Sequence, residues 1–215
     1  MCSIAGAEEG ELVERLIQRT EHRGGSSGLE QMEDLCLGHV LHSIVGEVSQ
    51  PLENEGLISA NCEIYNWKEL RERYGLEAEN DAELLLKMLD RKGLDALQEL
   101  DGIYAFAYLK DQELVIARDV TGVNPVWYSE DPFVFCSEKQ ALEKDGIECR
   151  ELHPRRMLKY NTETGEISFE NRDFFEIDVE ERKSIDERAE EIKELFLKSV
   201  EKRVPEEEDV ALLFS

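Results

Sequence analysis

Apolar residues recur at helical spacing through Leu12, Val13, Leu16 and Ile17 and stop near Thr20, which predicts a first amphipathic helix over 12–20. The stretch His22-Arg23-Gly24-Gly25-Ser26-Ser27-Gly28 that follows is too rich in glycine for a regular element and reads as a mobile loop. Segments 36–45 and 57–61 read as strands, joined by a turn-rich segment over 50–56. Two helices come next, Trp67–Tyr74 and Asp81–Lys92, the second with a buried stripe of Leu84, Leu85, Met88 and Leu89. Short strands then crowd together at 102–109, 113–117, 126–128 and Phe133–Cys136.

Helices followed by a run of antiparallel strands define an α+β class rather than a βαβ repeat. After Phe175 the pattern breaks into a charged segment, and helical spacing resumes over 186–203 through Ala189, Ile192, Leu195, Phe196 and Val200. A loop over 205–209 leads to Val210-Ala211-Leu212-Leu213-Phe214-Ser215, an apolar run suited to burial on both faces of a parallel sheet. Such a strand needs neighbours that these residues do not supply. The expected organisation is therefore a first domain over 1–184 and, over 185–215, the first helix and strand of a second, truncated α/β domain.

Composition narrows the function classes. Fifty Asp and Glu against 25 Lys and Arg give a formal charge of −25 over 215 residues, which repels phosphate backbones and anionic headgroups and argues against nucleic-acid or membrane-surface binding. The longest apolar stretches are strand-sized, and the N-terminus has no basic region or long apolar core, so a cytoplasmic protein is expected. The five cysteines, Cys2, Cys36, Cys62, Cys136 and Cys149, form no C-x-x-C pair and suit neither a disulfide framework nor a zinc site.

Cys2 is the sharpest chemical feature. By position alone it reads as a small buried hydrophobe. Methionine aminopeptidases, however, remove Met1 when the next residue is small, leaving an N-terminal cysteine with a free α-amine beside its own thiol. An amine with a pKa of about 8 can take the thiol proton near neutral pH, so one residue supplies nucleophile and base.

Cys2 stands in a longer order of motifs. Met1-Cys2-Ser3-Ile4-Ala5-Gly6 is followed by His22-Arg23-Gly24, Asn61-Cys62-Glu63-Ile64-Tyr65-Asn66, Asn80-Asp81-Ala82-Glu83, and Leu100-Asp101-Gly102-Ile103-Tyr104-Ala105-Phe106-Ala107. Ala117-Arg118-Asp119 with Gly122 and Pro125, then Ser137-Glu138 and Ala141-Leu142, complete it. This order resembles the class II glutamine amidotransferases, glutamine-hydrolysing asparagine synthetase in particular. The resemblance implies an N-terminal-nucleophile αββα sandwich of two antiparallel sheets between helical layers. It also implies hydrolysis of glutamine to glutamate and ammonia, which the complete family enzyme delivers to β-aspartyl-AMP made from aspartate and ATP. No metal or organic cofactor is implied for the glutaminase step; ATP and magnesium belong to the synthetase half, of whose phosphate loop only Ser215 falls within these residues. A homodimer is compatible with the family.

Carried over residue by residue, the resemblance makes Cys2 the nucleophile and gives the oxyanion pair to the Asn61 side chain and the Cys62 backbone N–H. Glycine is usual at the position of Cys62. Glu63 and Asp81 match positions that hold the substrate α-amino group, although Asp81 alone reads as a helix cap. The family's arginine for the α-carboxylate is replaced in the row Leu41-His42-Ser43-Ile44-Val45, where Leu41 takes its place. The loss of a charge-assisted hydrogen bond is worth about 1.5–3 kcal/mol, and Arg23 is the cation in the loop expected to fold over the substrate. His39, His42 and His153 read as ordinary strand or loop residues. Two other readings stay open: a binding or regulatory module with weak turnover, and the amidotransferase half of glucosamine-phosphate synthase, phosphoribosyl-pyrophosphate amidotransferase or glutamate synthase.

Overall fold

The computed structural model describes residues 1–43, 48–172 and 183–204. The chain divides into two compact units, Met1–Phe174 and Phe175–Ser215. In the first, β1 (Ser3–Ala7) leads to α1 (Gly10–Thr20), a single 3₁₀ turn (Glu21–Arg23), β2 (Ser26–Met32) and β3 (Leu35–Leu41). Then come β4 (Leu52–Glu53), β5 (Leu57–Ile64), α2 (Trp67–Tyr74), α3 (Asp81–Lys92) and a second 3₁₀ segment (Gly93–Gln98). The rest is β6 (Gly102–Lys110), β7 (Glu113–Arg118), β8 (Trp127–Glu130), β9 (Phe133–Cys136), α4 (Lys139–Glu143), β10 (Arg150–Glu151), β11 (Arg156–Asn161) and β12 (Ile167–Asn171).

The strands form two antiparallel six-stranded sheets, ordered β10-β8-β9-β1-β3-β2 and β12-β11-β7-β6-β5-β4. Period-two alternation in β6 shows how they stack. Ala105, Ala107 and Leu109 point between the sheets onto Ile4, Leu37 and Phe135, whereas Tyr104, Phe106 and Tyr108 point outward onto Leu84, Leu85 and Met88 of α3. On the far side, Leu12, Val13, Leu16 and Ile17 of α1 pack with Ala141 and Leu142 of α4 against Ala5, Val40 and Val134. Helix, sheet, sheet and helix thus enclose three apolar layers, the αββα sandwich of the sequence reading. Gly38 sets the spacing of α1, because a Cβ there would lie 2.6 Å from Ile17 and 2.8 Å from Val13.

Helices α2 and α3 keep the limits read from the sequence. Asn80 caps α3, its side chain accepting the Glu83 N–H at 2.9 Å, while Asp81 occupies the first turn. The expected mobile loop over 22–28 is instead a 3₁₀ turn running into β2, each of whose seven residues is registered with β3. Pairing along a full strand outweighs the poor strand propensity of glycine and serine. At Gly28 a Cβ would sit 2.3 Å from the Gln50 carbonyl oxygen, which explains glycine there.

The second unit contains α5 (Ile185–Glu201). Ser184 and Glu187 close its N-terminus as a reciprocal capping box, with Ser184 Oγ accepting the Glu187 N–H at 3.3 Å and Glu187 accepting the Ser184 N–H at 2.8 Å. The apolar run over 210–215 lies outside the described residues. No described helix is long and apolar enough to cross a membrane.

Candidate active site

Strands β1, β3 and β5, with the start of α3, converge on one cleft. It is lined by Met1, Cys2, Leu41, His42, Ser43, Gln50, Ala60, Asn61, Cys62, Glu63, Asn80, Asp81, Ala82, Ile103 and Asn124. Seven of the residues singled out from the sequence meet here: Cys2, Leu41, Ser43, Asn61, Cys62, Glu63 and Asp81. Ile44 and Val45 lie outside the described residues. Arg23 stands in an adjoining pocket with Met1, His22, Gly24, His42 and Glu138.

The half-buried Cys2 thiol is held at the end of β3, where Sγ accepts the His42 N–H at 3.2 Å and donates to the His42 carbonyl at 3.6 Å. Burial pushes the thiol pKa up, while the His42 N–H, the N-terminal charge and Arg23 pull it back. The resting thiol is therefore protonated near neutral pH and needs a base. Arg23 holds the backbone of the same residue: its Nε donates to the Cys2 carbonyl at 3.0 Å and Nη1 pairs with Glu138 at 3.0 Å.

Opposite Cys2 runs the outer edge of β5. Strand β4 pairs only Leu52 and Glu53 with Ile58 and Leu57, so side chains take the place of a neighbouring strand further along. Gln50 accepts the Ala60 N–H at 2.8 Å and donates to the Ala60 carbonyl at 3.1 Å, and His39 Nε2 lies 3.0 Å from the same carbonyl. Burial pushes the His39 pKa down to about 4, so the ring is neutral and its Nε2–H is the donor. Four residues on, the Ile64 N–H donates to Asp81 at 3.0 Å. Successive N–H groups of an antiparallel strand alternate sides, so the Cys62 N–H, midway between Ala60 and Ile64, points to this same edge.

Alternation also separates the side chains. Ile58, Ala60 and Ile64 pack on the α3 side, with Cys62 against the same cluster, whereas Asn61 takes the opposite parity, toward the facing sheet. Cys62 lies within β5 and outside the left-handed φ region, so the substitution for glycine leaves an ordinary strand backbone. Its thiol contacts Asp81, and burial together with that carboxylate raises its pKa well above the ordinary range. The Asp81 pKa is raised by burial and partly restored by the Ile64 N–H. Asn61 is 4% exposed, and its Nδ2 has no hydrogen-bond partner among the described residues.

Gln50 and Asn124 of the lining escaped the sequence reading, which took His42 for an ordinary strand or loop residue. Asn80 had a signal, since Asn before an apolar-periodic segment is a cap. Gln50 and Asn124 had none, because their partners are distant in sequence.

Cys2 and the Asn61 amide line one cleft in two antiparallel sheets packed between helices, an arrangement that fits the class of N-terminal-nucleophile amidotransferases. The family model for a glutamine amidotransferase domain matches residues 1–178, and the chain belongs to that family. Among curated proteins it is 35% identical over 153 residues to asparagine synthetase [glutamine-hydrolyzing] 3 of Arabidopsis thaliana, a match covering 65% of this chain and 26% of that protein. A putative asparagine synthetase of Methanocaldococcus jannaschii is 38% identical over 125 residues, covering 53% of this chain and 23% of the relative. The chain thus spans about a quarter of the length of these relatives. In fold it is similar to the glutamine phosphoribosylpyrophosphate amidotransferase of B. subtilis, with a TM-score of 0.68 at 20% identity over 80% of this chain and 49% of the other.

Proposed function

We propose that the first unit hydrolyses glutamine to glutamate and ammonia, with Cys2 as nucleophile. The observation that carries this reading is the convergence on one cleft of the Cys2 thiol, the Asn61 side chain and the edge N–H of Cys62. Once Met1 is removed, the α-amine of Cys2 takes the thiol proton and Sγ adds to the side-chain amide carbonyl. Asn61 Nδ2 and the Cys62 N–H stabilise the oxyanion. The C–N bond then breaks, the proton passes to the leaving nitrogen, and ammonia departs from a γ-glutamyl thioester that water hydrolyses. Asn61→Ala is expected to lower kcat by about a hundred-fold or more, the scale for one lost oxyanion donor, in a coupled assay of glutamate release. An unchanged kcat would remove Asn61 from the reaction.

Glu63 and Asp81 are the groups we assign to the substrate α-ammonium. The cleft lining includes no lysine or arginine among the described residues, and Arg23, in the adjoining pocket, is bonded through Nε to the Cys2 carbonyl and through Nη1 to Glu138, with only Nη2 left without a partner among the described residues. Free glutamine, which must also bring in a carboxylate, is therefore expected to bind weakly. Leu41→Arg should raise kcat/KM for glutamine by about ten-fold or more. The same lack of a cation favours a second reading, a binding module: in that case Leu41→Arg tightens glutamine binding by calorimetry but releases no ammonia.

In a longer cytoplasmic protein of the asparagine-synthetase kind, the ammonia would serve ATP-dependent amidation of aspartate, with residues 185–215 opening the synthetase half. Neither ATP nor magnesium enters the thioester chemistry of the first unit.

A further inference from the structure

The cleft contains a second polar group whose bonding is incomplete. Asn124 is 2% exposed and lies in the loop between β7 and β8. Its place is fixed from two sides. Its carbonyl oxygen accepts Arg118 Nε at 2.6 Å, and Arg118 is itself anchored by the Leu152 carbonyl at 2.6 Å, the Gly122 carbonyl at 2.8 Å and Glu151 at 2.9 Å. Its side-chain Nδ2 donates to the Asn61 carbonyl at 3.0 Å. That bond sets the orientation of the amide, since the flipped form would place two carbonyl oxygens against each other. Asn124 Oδ1 is then left buried without a hydrogen-bond partner among the described residues, as is Asn61 Nδ2.

One orphan is an acceptor and the other a donor, on two residues bonded to each other and lining the same cleft. A primary carboxamide has the complementary pair: a carbonyl oxygen that accepts and an NH₂ that donates. The geometry points to Asn124 as a substrate-binding residue whose Oδ1 accepts an N–H of the scissile amide while Asn61 Nδ2 donates to its oxygen. The assignment rests on the glutamine-hydrolysis reading and deepens it. As the thioester forms and the C–N bond breaks, the nitrogen takes the proton that began on Sγ and leaves as ammonia, one of its N–H groups still directed at Asn124. A site built this way favours a leaving group that carries N–H over one that does not, because an ester would leave Oδ1 unpaired.

The test compares kcat/KM for L-glutamine and for L-glutamate γ-methyl ester, whose leaving oxygen bears no hydrogen in the ground state. Asn124→Ala and Asn124→Leu are expected to lose about ten-fold or more on glutamine but less than about three-fold on the ester, so the amide-to-ester ratio collapses. Asn124→Asp keeps an acceptor while losing the donor to Asn61, so its two rates fall together and the ratio stays within about three-fold of wild type. Equal losses on both substrates in the Ala and Leu variants would overturn the assignment, leaving Asn124 as a prop behind Asn61; no loss on either would overturn it as well. A wild-type protein that turns over neither substrate, with Cys2→Ala indistinguishable from it, overturns the glutaminase reading and this assignment with it.

Discussion

Cys2→Ala abolishes glutamate release while leaving the fold in place. In the proposed mechanism the Cys2 thiol carries the acyl intermediate, and loss of a catalytic nucleophile lowers turnover by on the order of 10⁴-fold or more. Stability depends on it far less. Sγ is half-buried and its hydrogen bonds go to the backbone of His42 at 3.2 and 3.6 Å, at the rim of the sandwich rather than in its core. Removing it should cost about 1 kcal/mol, or roughly 2–4 °C in Tm for a chain of this size. The two measurements belong together, since an inactive variant with a collapsed melting curve says nothing about chemistry. A variant that melts like the parent and still releases glutamate at a comparable rate would show that the nucleophile lies elsewhere.

The second large effect concerns Met1. With Met1 present, the Cys2 nitrogen is an amide and cannot accept a proton, while the Met1 side chain itself lines the cleft. The thiol, raised by burial, is then protonated without its base. Protein made with the host methionine aminopeptidase inhibited should be one methionine heavier by intact mass and slower by about 10²–10⁴-fold, the range for a lost general base. Later treatment with the aminopeptidase should restore the rate. Full activity in the heavier chain would show that the α-amine is not the base.

Much of this was legible in the sequence, for local reasons. The limits of α2 and α3 follow from neighbouring signals, the Asn80 cap and Gly75, whose φ of 60° ends α2. Strand β1 was missed because Ser3–Ala7 is buried along its whole length and offers no alternation to read. The strand over 26–32 was hidden by glycine and serine, whose pairing with β3 is a tertiary fact. Among site residues, Cys2, Asn61 and Asp81 were recognisable because each sits in a motif. Asn124 was not, since its bond to Asn61 spans 63 residues, and the bonds of Gln50 to Ala60 belong to a strand edge that no periodicity reveals.

The edge of β5 has a consequence for association between chains as well as for chemistry. A bare sheet edge is a template on which a foreign strand can add, because it offers a row of evenly spaced donors and acceptors. Here Gln50 caps Ala60 and Asp81 caps Ile64, and a docking strand would need both positions. By strand alternation the N–H of the one residue between them, Cys62, is directed to the same edge, a span too short for a peptide to zip onto. The same two caps that keep this edge from recruiting another polypeptide leave it open to a single carbonyl.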